Sequence, residues 1–415
     1  MTTTAKKGAY RWIALTVLVL AFSTSFFSRF IWAPVLSTAA GDLGMNMGQA
    51  GALMSAFYFG YLILQIPAGV IADKFRCKYF LAGAVAALGI MTFAMQYVTD
   101  YSAAYAVRFI GGFFGGAIMA FCSRILSNYF SSKERSIAFG ILLGSPSIGT
   151  LLANQVGPRV LNASGWRNCF SVCAICIWVV AALVLVVIKE PKREAAPAAA
   201  KKASMLDGVK NYFTNPQILI LSLAGFLFMA VPPGYSTWAN KFMTSGAASA
   251  TAGLTGVQAG TIITVYSLFS IAGSMTSGLI AKKLKADPKV MCMGVYALMI
   301  VSLLFFSFQR TYAGLMIGSI FFGLFSCMSS THITTWAVNM GGDKYAATTT
   351  STQNLIFQAA NVIFPTVAGN IIDANTVDGV VQSYSGVWYL YVGLLAGALV
   401  IIAFANHKKA IEAMK

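Results

Sequence analysis

Acidic side chains are scarce in this 415-residue chain, which has 12 Asp and Glu residues against 29 Lys and Arg residues and only 2 histidines. Charged residues of both signs make up 10% of the sequence, whereas 58% is hydrophobic and the mean hydropathy is +0.72. Soluble domains carry roughly a quarter charged residues. The composition therefore excludes an ordinary soluble domain and predicts an all-α protein that crosses a lipid bilayer many times.

Sequence patterns of catalysis and metal binding are also missing. The chain has no glycine-rich phosphate loop, no catalytic triad and no zinc-ligand spacing. Cys169, Cys173 and Cys176 share a helical spacing, but no histidine or carboxylate lies near them in sequence. We therefore expect no enzyme activity, no cofactor and no metal site.

Apolar runs of about 20 residues, the length that spans a bilayer, occur repeatedly along the chain. The twelve predicted spans are 12–36, 47–71, 79–98, 102–127, 136–157, 167–188, 217–238, 259–281, 289–308, 312–337, 346–372 and 387–406. With both termini in the cytoplasm, most Lys and Arg residues fall on the cytoplasmic side, as the positive-inside rule requires. The basic excess thus predicts membrane topology rather than nucleic-acid binding, and we expect a multi-pass protein of the inner (cytoplasmic) membrane.

A polar segment divides the predicted helices into six and six. We place the N-terminal half at residues 1–188, a cytoplasmic linker at 189–212 and the C-terminal half at 213–415. The sequence GVIADKFR that follows the second helix has a counterpart, GLIAKKLK, after the eighth. Such a repeat is typical of two pseudo-symmetric halves that rock about a substrate site near the bilayer midplane.

The segment GVIADKFRCK, residues 69–78, resembles the loop 2–3 signature of the major facilitator superfamily. Gly69, Asp73, Lys74 and Lys78 stand at matching positions, whereas Arg76 stands where the family usually has glycine and Cys77 where it often has arginine. The resemblance implies the twelve-helix major facilitator fold and a gating role for Gly69, Asp73 and Lys74. The alternative is that this basic loop only anchors the membrane topology.

A narrower resemblance covers most of the N-terminal half. The stretches RFIGGFFGGAIMAF and SSKERSIAFG, among others, are similar to the organic anion transporters of the anion:cation symporter group. Arg29 and Arg108 match the arginines that this group carries in helices 1 and 4, whereas Ser28 and Gly115 stand where the group often has carboxylates. The resemblance implies transport of a small organic anion: a carboxylate, sugar acid or sulfonate.

Arg29 is an energetic anomaly, because it lies inside the apolar run SFFSRFIW. A guanidinium in hydrocarbon is costly, and every carboxylate of the chain falls in a loop or at the end of a predicted span. Two roles are open for Arg29 and for Arg108. Each could bind the negative charge of the transported anion through paired N–H groups, or bond helix-end carbonyls in a structural or gating role.

Other predicted site residues are aromatic or polar side chains within the spans. The candidates for substrate contact are Trp32, Tyr61, Tyr235, Trp238, His332, Gln353 and Gln358. His332 either carries a coupling proton or stays neutral and hydrogen-bonded to neighbouring Ser and Thr residues. Pro146 and Pro365 predict helix kinks that act as hinges.

Together these patterns predict a monomeric transporter that moves a small organic anion by alternating access. Its other partner is a counter-transported anion or a co-transported proton, and the lack of an intramembrane acid favours exchange or uniport over carboxylate-coupled symport. Two alternatives stay open: a multidrug or other small-molecule exporter of the same superfamily, and a non-transporting sensor on the same fold.

Overall fold

The computed structural model describes Gly8 and residues 10–130, 132–189, 205–246, 251–284, 287–341 and 345–406. In chain order its α-helices are α1 (Tyr10–Phe30), α2 (Trp32–Asp42), α3 (Met47–Lys74), α4 (Cys77–Ala94), α5 (Tyr101–Tyr129), α6 (Ser132–Leu142), α7 (Ser145–Ser164), α8 (Trp166–Val187), α9 (Met205–Thr214), α10 (Pro216–Met229), α11 (Val231–Thr244), α12 (Gly256–Leu284), α13 (Pro288–Phe308), α14 (Tyr312–Ser326), α15 (Met328–Gly341), α16 (Ala346–Ala374) and α17 (Ser385–Ala403). A short antiparallel hairpin, β1 (Thr376–Val377) and β2 (Val380–Val381), separates α16 from α17.

The chain divides into two compact units. The first is formed from Met1–Ala195 with Thr255–Thr264, and the second from Ala196–Leu254 with Val265–Lys415. The beginning of α12 therefore belongs with the first unit. Residues 190–204 of the predicted linker lie outside the described residues, and its last part is helical, because α9 begins at Met205.

Eleven helical segments in the described part of the chain are long and apolar enough to cross a bilayer. They match eleven of the predicted spans, with boundaries that differ by a few residues. The remaining predicted span, 312–337, is split into the shorter helices α14 and α15, which meet at Cys327. The prediction of an all-α, many-helix membrane protein is confirmed.

Three other predicted spans are also split, and in each the first helix ends four residues before a proline. The final residues and the prolines are Phe30 and Pro34, Leu142 and Pro146, and Met229 and Pro233. Proline lacks an N–H, and its ring clashes with the carbonyl four residues earlier, so the regular helix ends there. Pro365, by contrast, lies inside the continuous α16. The hinge roles of Pro146 and Pro365 stay predictions.

Glycines bring the backbones of α3 and α5 into close contact within the first unit. A Cβ atom at Gly112 would lie 1.9 Å from the carbonyl oxygen of Phe57, and one at Gly116 would lie 2.2 Å from that of Tyr61. Only a residue without a side chain permits such an approach. The glycines therefore fix where α3 presents the rings of Phe57 and Tyr61.

This contact predicts that Gly112→Ala lowers the thermal unfolding midpoint of the purified protein. The added methyl group must push α3 and α5 apart, a strain of roughly 1–3 kcal/mol. Gly83→Ala in α4 is the matched control, because nothing lies within 4 Å of a Cβ atom there. We expect this control to unfold at the wild-type temperature or slightly above it, and equal midpoints for the two variants would contradict the packing argument.

Candidate functional site

Arg29 lies in the last turn of α1 and is 1% exposed. Its guanidinium carbon lies 4.2 Å from the ring centroid of Tyr58, 4.7 Å from that of Phe26, 4.8 Å from that of Tyr61 and 5.0 Å from that of Phe57. We call these four rings the aromatic box. Ring faces attract a cation, but they do not neutralise its charge.

The positive charge of Arg29 has no counter-charge within the described residues. Its Nε and Nη2 atoms have no hydrogen-bond acceptor there. The ion pairs that the described residues form join other arginines to carboxylates, Arg11 to Glu134 at 2.9 Å and Arg167 to Asp42 at 3.3 Å. A buried charge without a partner destabilises a folded protein, so this arrangement is not explained by stability.

Arg108 on α5 is also buried, at 3% exposure, but the N–H groups of its guanidinium donate hydrogen bonds to the protein. Nη1 donates to the carbonyl oxygen of Ser28 at 2.8 Å, and Nη2 donates to that of Arg29 at 2.9 Å. Nε donates to the carbonyl oxygen of Leu53 at 3.4 Å. Because α1 ends at Phe30, the carbonyls of Ser28 and Arg29 are among the last four of the helix, which have no partner within it. Arg108 therefore caps the C-terminus of α1, where a positive charge is favourable.

The two guanidinium groups share one aromatic ring. The centroid of Phe57 lies 5.0 Å from the guanidinium carbon of Arg29 and 4.8 Å from that of Arg108. The geometry nevertheless separates their chemistry. Arg108 makes the helix-end carbonyl contacts that were one of its two open roles, whereas two donors of Arg29 remain available to a ligand. Substrate contact by Arg108 stays a prediction.

Ser28 and Gly115 occupy the two positions where the anion:cation symporter group often has carboxylates. A carboxylate at either position would have added a negative charge to this site. The hydroxyl of Ser28 lies 2.6 Å from that of Thr92, and the two form a hydrogen bond. A Cβ atom at Gly115 would lie 2.8 Å from Oγ of Ser25, so a larger residue does not fit without movement. Ser25, which no sequence pattern marks, is fully buried, and its hydroxyl has no hydrogen-bond partner among the described residues.

A small cavity lies beside Arg108. This cavity of about 10 Å³, lined by Ser28, Phe57, Thr92 and Arg108 among others, has room for about one water molecule. Trp32 does not belong to the aromatic box. Its Nε1 donates to the carbonyl oxygen of Ala50 at 3.0 Å, and the residue is fully buried. Because Arg29 itself is 1% exposed, an anion that binds it would have to displace neighbouring groups.

Several predicted site residues lie in the second unit. Tyr235 on α11 packs against the ring of Tyr266 at 4.7 Å, and its hydroxyl lies 2.7 Å from Oγ of Ser319. Trp238, on the same helix, is fully buried, and its Nε1 has no hydrogen-bond partner in the part of the chain that the structure describes. Tyr235 is thus part of a packed aromatic cluster, whereas Trp238 keeps a free donor.

The amide residues of α16 are also in the second unit. Gln353 is fully buried, and neither its Oε1 nor its Nε2 has a partner among the described residues. Gln358 accepts a hydrogen bond from Nδ2 of Asn361 at 3.0 Å. His332 lies half-buried on α15. Their roles in substrate contact or proton coupling stay predictions.

The residues of the predicted gating signature lie at the end of α3. Gly69 is helical, and nothing lies within 4 Å of a Cβ atom placed there. The backbones of Asp73 and Lys74 complete the helix, but their side chains lie outside the described part of the structure. The gating role of all three residues stays a prediction.

The helices and the buried guanidinium groups define a multi-pass α-helical membrane protein with a cationic site inside a span. The chain belongs to the Major Facilitator Superfamily, whose family model matches residues 18–365. This finding confirms the resemblance that residues 69–78 carry. It also places the chain among transport proteins rather than enzymes.

Curated relatives of known name match part of the chain. The "Probable galactarate/D-glucarate transporter GudP" of Bacillus subtilis (strain 168) is 22% identical over 308 residues, which are 68% of this chain and 67% of that protein. The "Membrane sensor protein UhpC" of Escherichia coli (strain K12) is 24% identical over 66% of this chain and 65% of the sensor. The "Probable galactarate/D-glucarate transporter GarP" of the same strain is 26% identical over 45% of this chain and 44% of its own length. The chain thus spans two thirds or less of most of these relatives.

Solved structures match over nearly the whole chain. A bacterial homolog of the human lysosomal transporter Spinster, in an inward-facing and unoccupied conformation, gives a TM-score of 0.74 at 16% identity and covers 95% of both chains. The nucleoside transporter NupG gives a TM-score of 0.77 at 16% identity over 94% of this chain and 98% of its own. At such low identity, the likeness shows the fold alone.

The different surroundings of the two arginines predict opposite effects on stability. Arg108→Gln leaves helix-end carbonyls without a donor, at a cost of about 1–3 kcal/mol for each group left unpaired. Arg29→Gln removes an uncompensated buried charge, so the unfolding midpoint should stay equal or rise.

The measurement is thermal unfolding of the purified protein without ligand. Arg159→Gln is the control, because among the described residues the side chain of this exposed arginine donates to Gln155 alone, four residues earlier on the same helix. A stable Arg108→Gln variant together with an unstable Arg29→Gln variant would reverse the assignment of the two roles.

Proposed function

We propose that this protein carries a small organic anion across the membrane by alternating access and that Arg29 binds the negative charge of that anion. The observation that carries the proposal is a guanidinium at 1% exposure whose Nε and Nη2 have no acceptor among the described residues. A planar guanidinium pairs two N–H groups with the oxygens of a carboxylate or sulfonate. The bound anion would supply the counter-charge that the described protein groups do not.

The names of the relatives support this class of cargo. Two of them are named as galactarate/D-glucarate transporters, and both compounds are organic anions at neutral pH. Another relative is named as a membrane sensor, so binding and transport must be measured separately. The superfamily match favours transport.

We further propose a monomer in the inner membrane with both termini in the cytoplasm, on the distribution of Lys and Arg residues. The described carboxylates lie at helix ends or in turns, as Asp42, Asp100, Asp287 and Asp378 do. A buried acid that could relay protons is therefore lacking in the described part of the spans. The lack of such an acid favours anion exchange or uniport. If transport is coupled to a proton, His332 is the residue that would carry it.

The proposal predicts that transport depends on the guanidinium of Arg29 and not on its charge alone. The assay loads proteoliposomes with an unlabelled anion and follows the entry of a labelled one, with D-gluconate, D-glucarate, lactate and isethionate as the panel. Arg29→Gln should abolish exchange of the transported anion. Arg29→Lys should slow it about tenfold or more, because an ammonium group cannot offer a rigid pair of N–H groups.

Arg159→Gln is again the control and should exchange at the wild-type rate. Wild-type rates for Arg29→Lys would contradict the proposal. Binding of an anion without any flux through the wild-type protein would identify a sensor instead.

A further inference from the structure

A cavity of about 20 Å³ lies in the second unit, where α13 ends and α17 begins. It is lined by Phe242, Ser307, Arg310, Trp388 and the segment 383–385. Arg310 and Ser385 are exposed, so the cavity opens to the surface of this unit. Its volume suits about one water-sized group, such as a single oxygen atom of a larger anion whose remainder stays at the opening.

Arg310 supplies a positive charge to this cavity. Its Nη1 donates to the carbonyl oxygens of Ser307 at 2.8 Å and of Gln309 at 2.7 Å, and its guanidinium carbon lies 5.4 Å from the ring centroid of Phe242. Carbonyls and rings position the guanidinium group but carry no net charge. The ion pairs that the described residues form do not include Arg310. Its charge is therefore available to an anionic ligand.

The beginning of α17 favours an anion in the same place. The helix has no acidic residue in its first turn, and its N-cap residue Tyr384 makes no side-chain capping bond. Oγ of Ser383 accepts the N–H of Ser385 at 3.1 Å, whereas the N–H of Gly386 has no acceptor among the described residues. The first N–H groups of a helix carry a partial positive charge that attracts anions.

Trp388 gives a second, independent indication of a ligand. Its indole forms part of the cavity wall and is 1% exposed, and its Nε1 has no acceptor among the described residues. Buried N–H groups are almost always hydrogen-bonded in folded proteins. An N–H group of this kind beside a cavity indicates an acceptor that the described residues do not supply.

The position of the cavity along the spans indicates which anion is present there. Pro288–Phe308 and Ser385–Ala403 are both long and apolar enough to cross a bilayer. Arg310 follows the end of the first segment by two residues, and the second segment begins at Ser385 itself. Phe308 and Tyr389 are 63% and 53% exposed, as expected for side chains that contact lipid near the interface. The cavity therefore lies at the depth of the phospholipid headgroups.

We propose that this cavity binds the phosphate group of a membrane phospholipid. One phosphate oxygen enters the cavity and accepts a hydrogen bond from Nε1 of Trp388, while Arg310 pairs with the negative charge at the opening. Guanidinium and phosphate groups form strong charge-assisted hydrogen bonds. Arg29 belongs to the first unit, so this lipid site is separate from the proposed cargo contact.

Lipid binding is measured by native mass spectrometry of the purified full-length protein titrated with phosphatidylglycerol. Diacylglycerol with the same acyl chains is the matched ligand, because it lacks only the phosphoglycerol headgroup. We expect phosphatidylglycerol to bind about tenfold or more tightly than diacylglycerol, since only the former offers a charged acceptor. Equal affinities for the two lipids would overturn the proposal.

Two variants test the two contacts. Arg310→Gln should lower the affinity for phosphatidylglycerol about tenfold, and Trp388→Phe, which keeps a ring but loses the N–H, should lower it several-fold. Both should leave the affinity for diacylglycerol unchanged, an outcome that a purely structural role of either residue does not predict. Unchanged affinity for phosphatidylglycerol in either variant would contradict the site.

The controls are one residue of each type outside the cavity. Arg159 is an exposed arginine of the first unit, and Trp238 is a buried tryptophan of the second unit whose Nε1 also has no acceptor among the described residues. Arg159→Gln and Trp238→Phe should bind phosphatidylglycerol as the wild-type protein does. Inorganic phosphate at millimolar concentration is the last arm. Binding of this ion, lost in Arg310→Gln, without binding of phosphatidylglycerol would assign the cavity to a soluble anion and overturn the lipid site.

Discussion

A positive charge buried without a counter-charge is the constraint on which this site depends. Arg29 is enclosed by four aromatic rings, and its Nε and Nη2 lack acceptors among the described residues. The fold sustains this arrangement in two ways. Pro34 ends α1 early, and Arg108 then caps the free carbonyls, so the helix end that carries Arg29 is held in place. Gly112 lets α3 approach α5 and present its rings.

The same arrangement explains why stability and function should oppose each other at Arg29. A residue selected for stability would be apolar here, since an uncompensated charge costs free energy in the folded state. A bound anion would offset the cost of this buried charge, but only while the anion stays bound. In the proposed function, a bound anion would neutralise Arg29 in place of a buried acid. Exchange of one anion for another would then be favoured, because either anion would stabilise the site.

Much of this architecture could be predicted from the sequence, because bilayer spans depend on local composition. Apolar length located the spans, and the scarcity of carboxylates identified Arg29 as an unpaired charge. The different roles of Arg29 and Arg108 could not be predicted, because they depend on which carbonyls lie near Arg108 after folding. Proline spacing held a usable signal, since the helix breaks occur four residues before Pro34, Pro146 and Pro233. The sequence carries no comparable signal for the split at Cys327 or for the unpartnered hydroxyl of Ser25.

A structure of the protein with bound D-gluconate tests the central claim most directly. The account predicts that the two carboxylate oxygens lie about 2.7–2.9 Å from Nε and Nη2 of Arg29, the usual range for charge-assisted hydrogen bonds. It also predicts that Arg108 keeps its contacts with the carbonyls of Ser28 and Arg29. A gluconate carboxylate bound to Arg108, with Nε and Nη2 of Arg29 hydrogen-bonded to protein groups, would contradict the account.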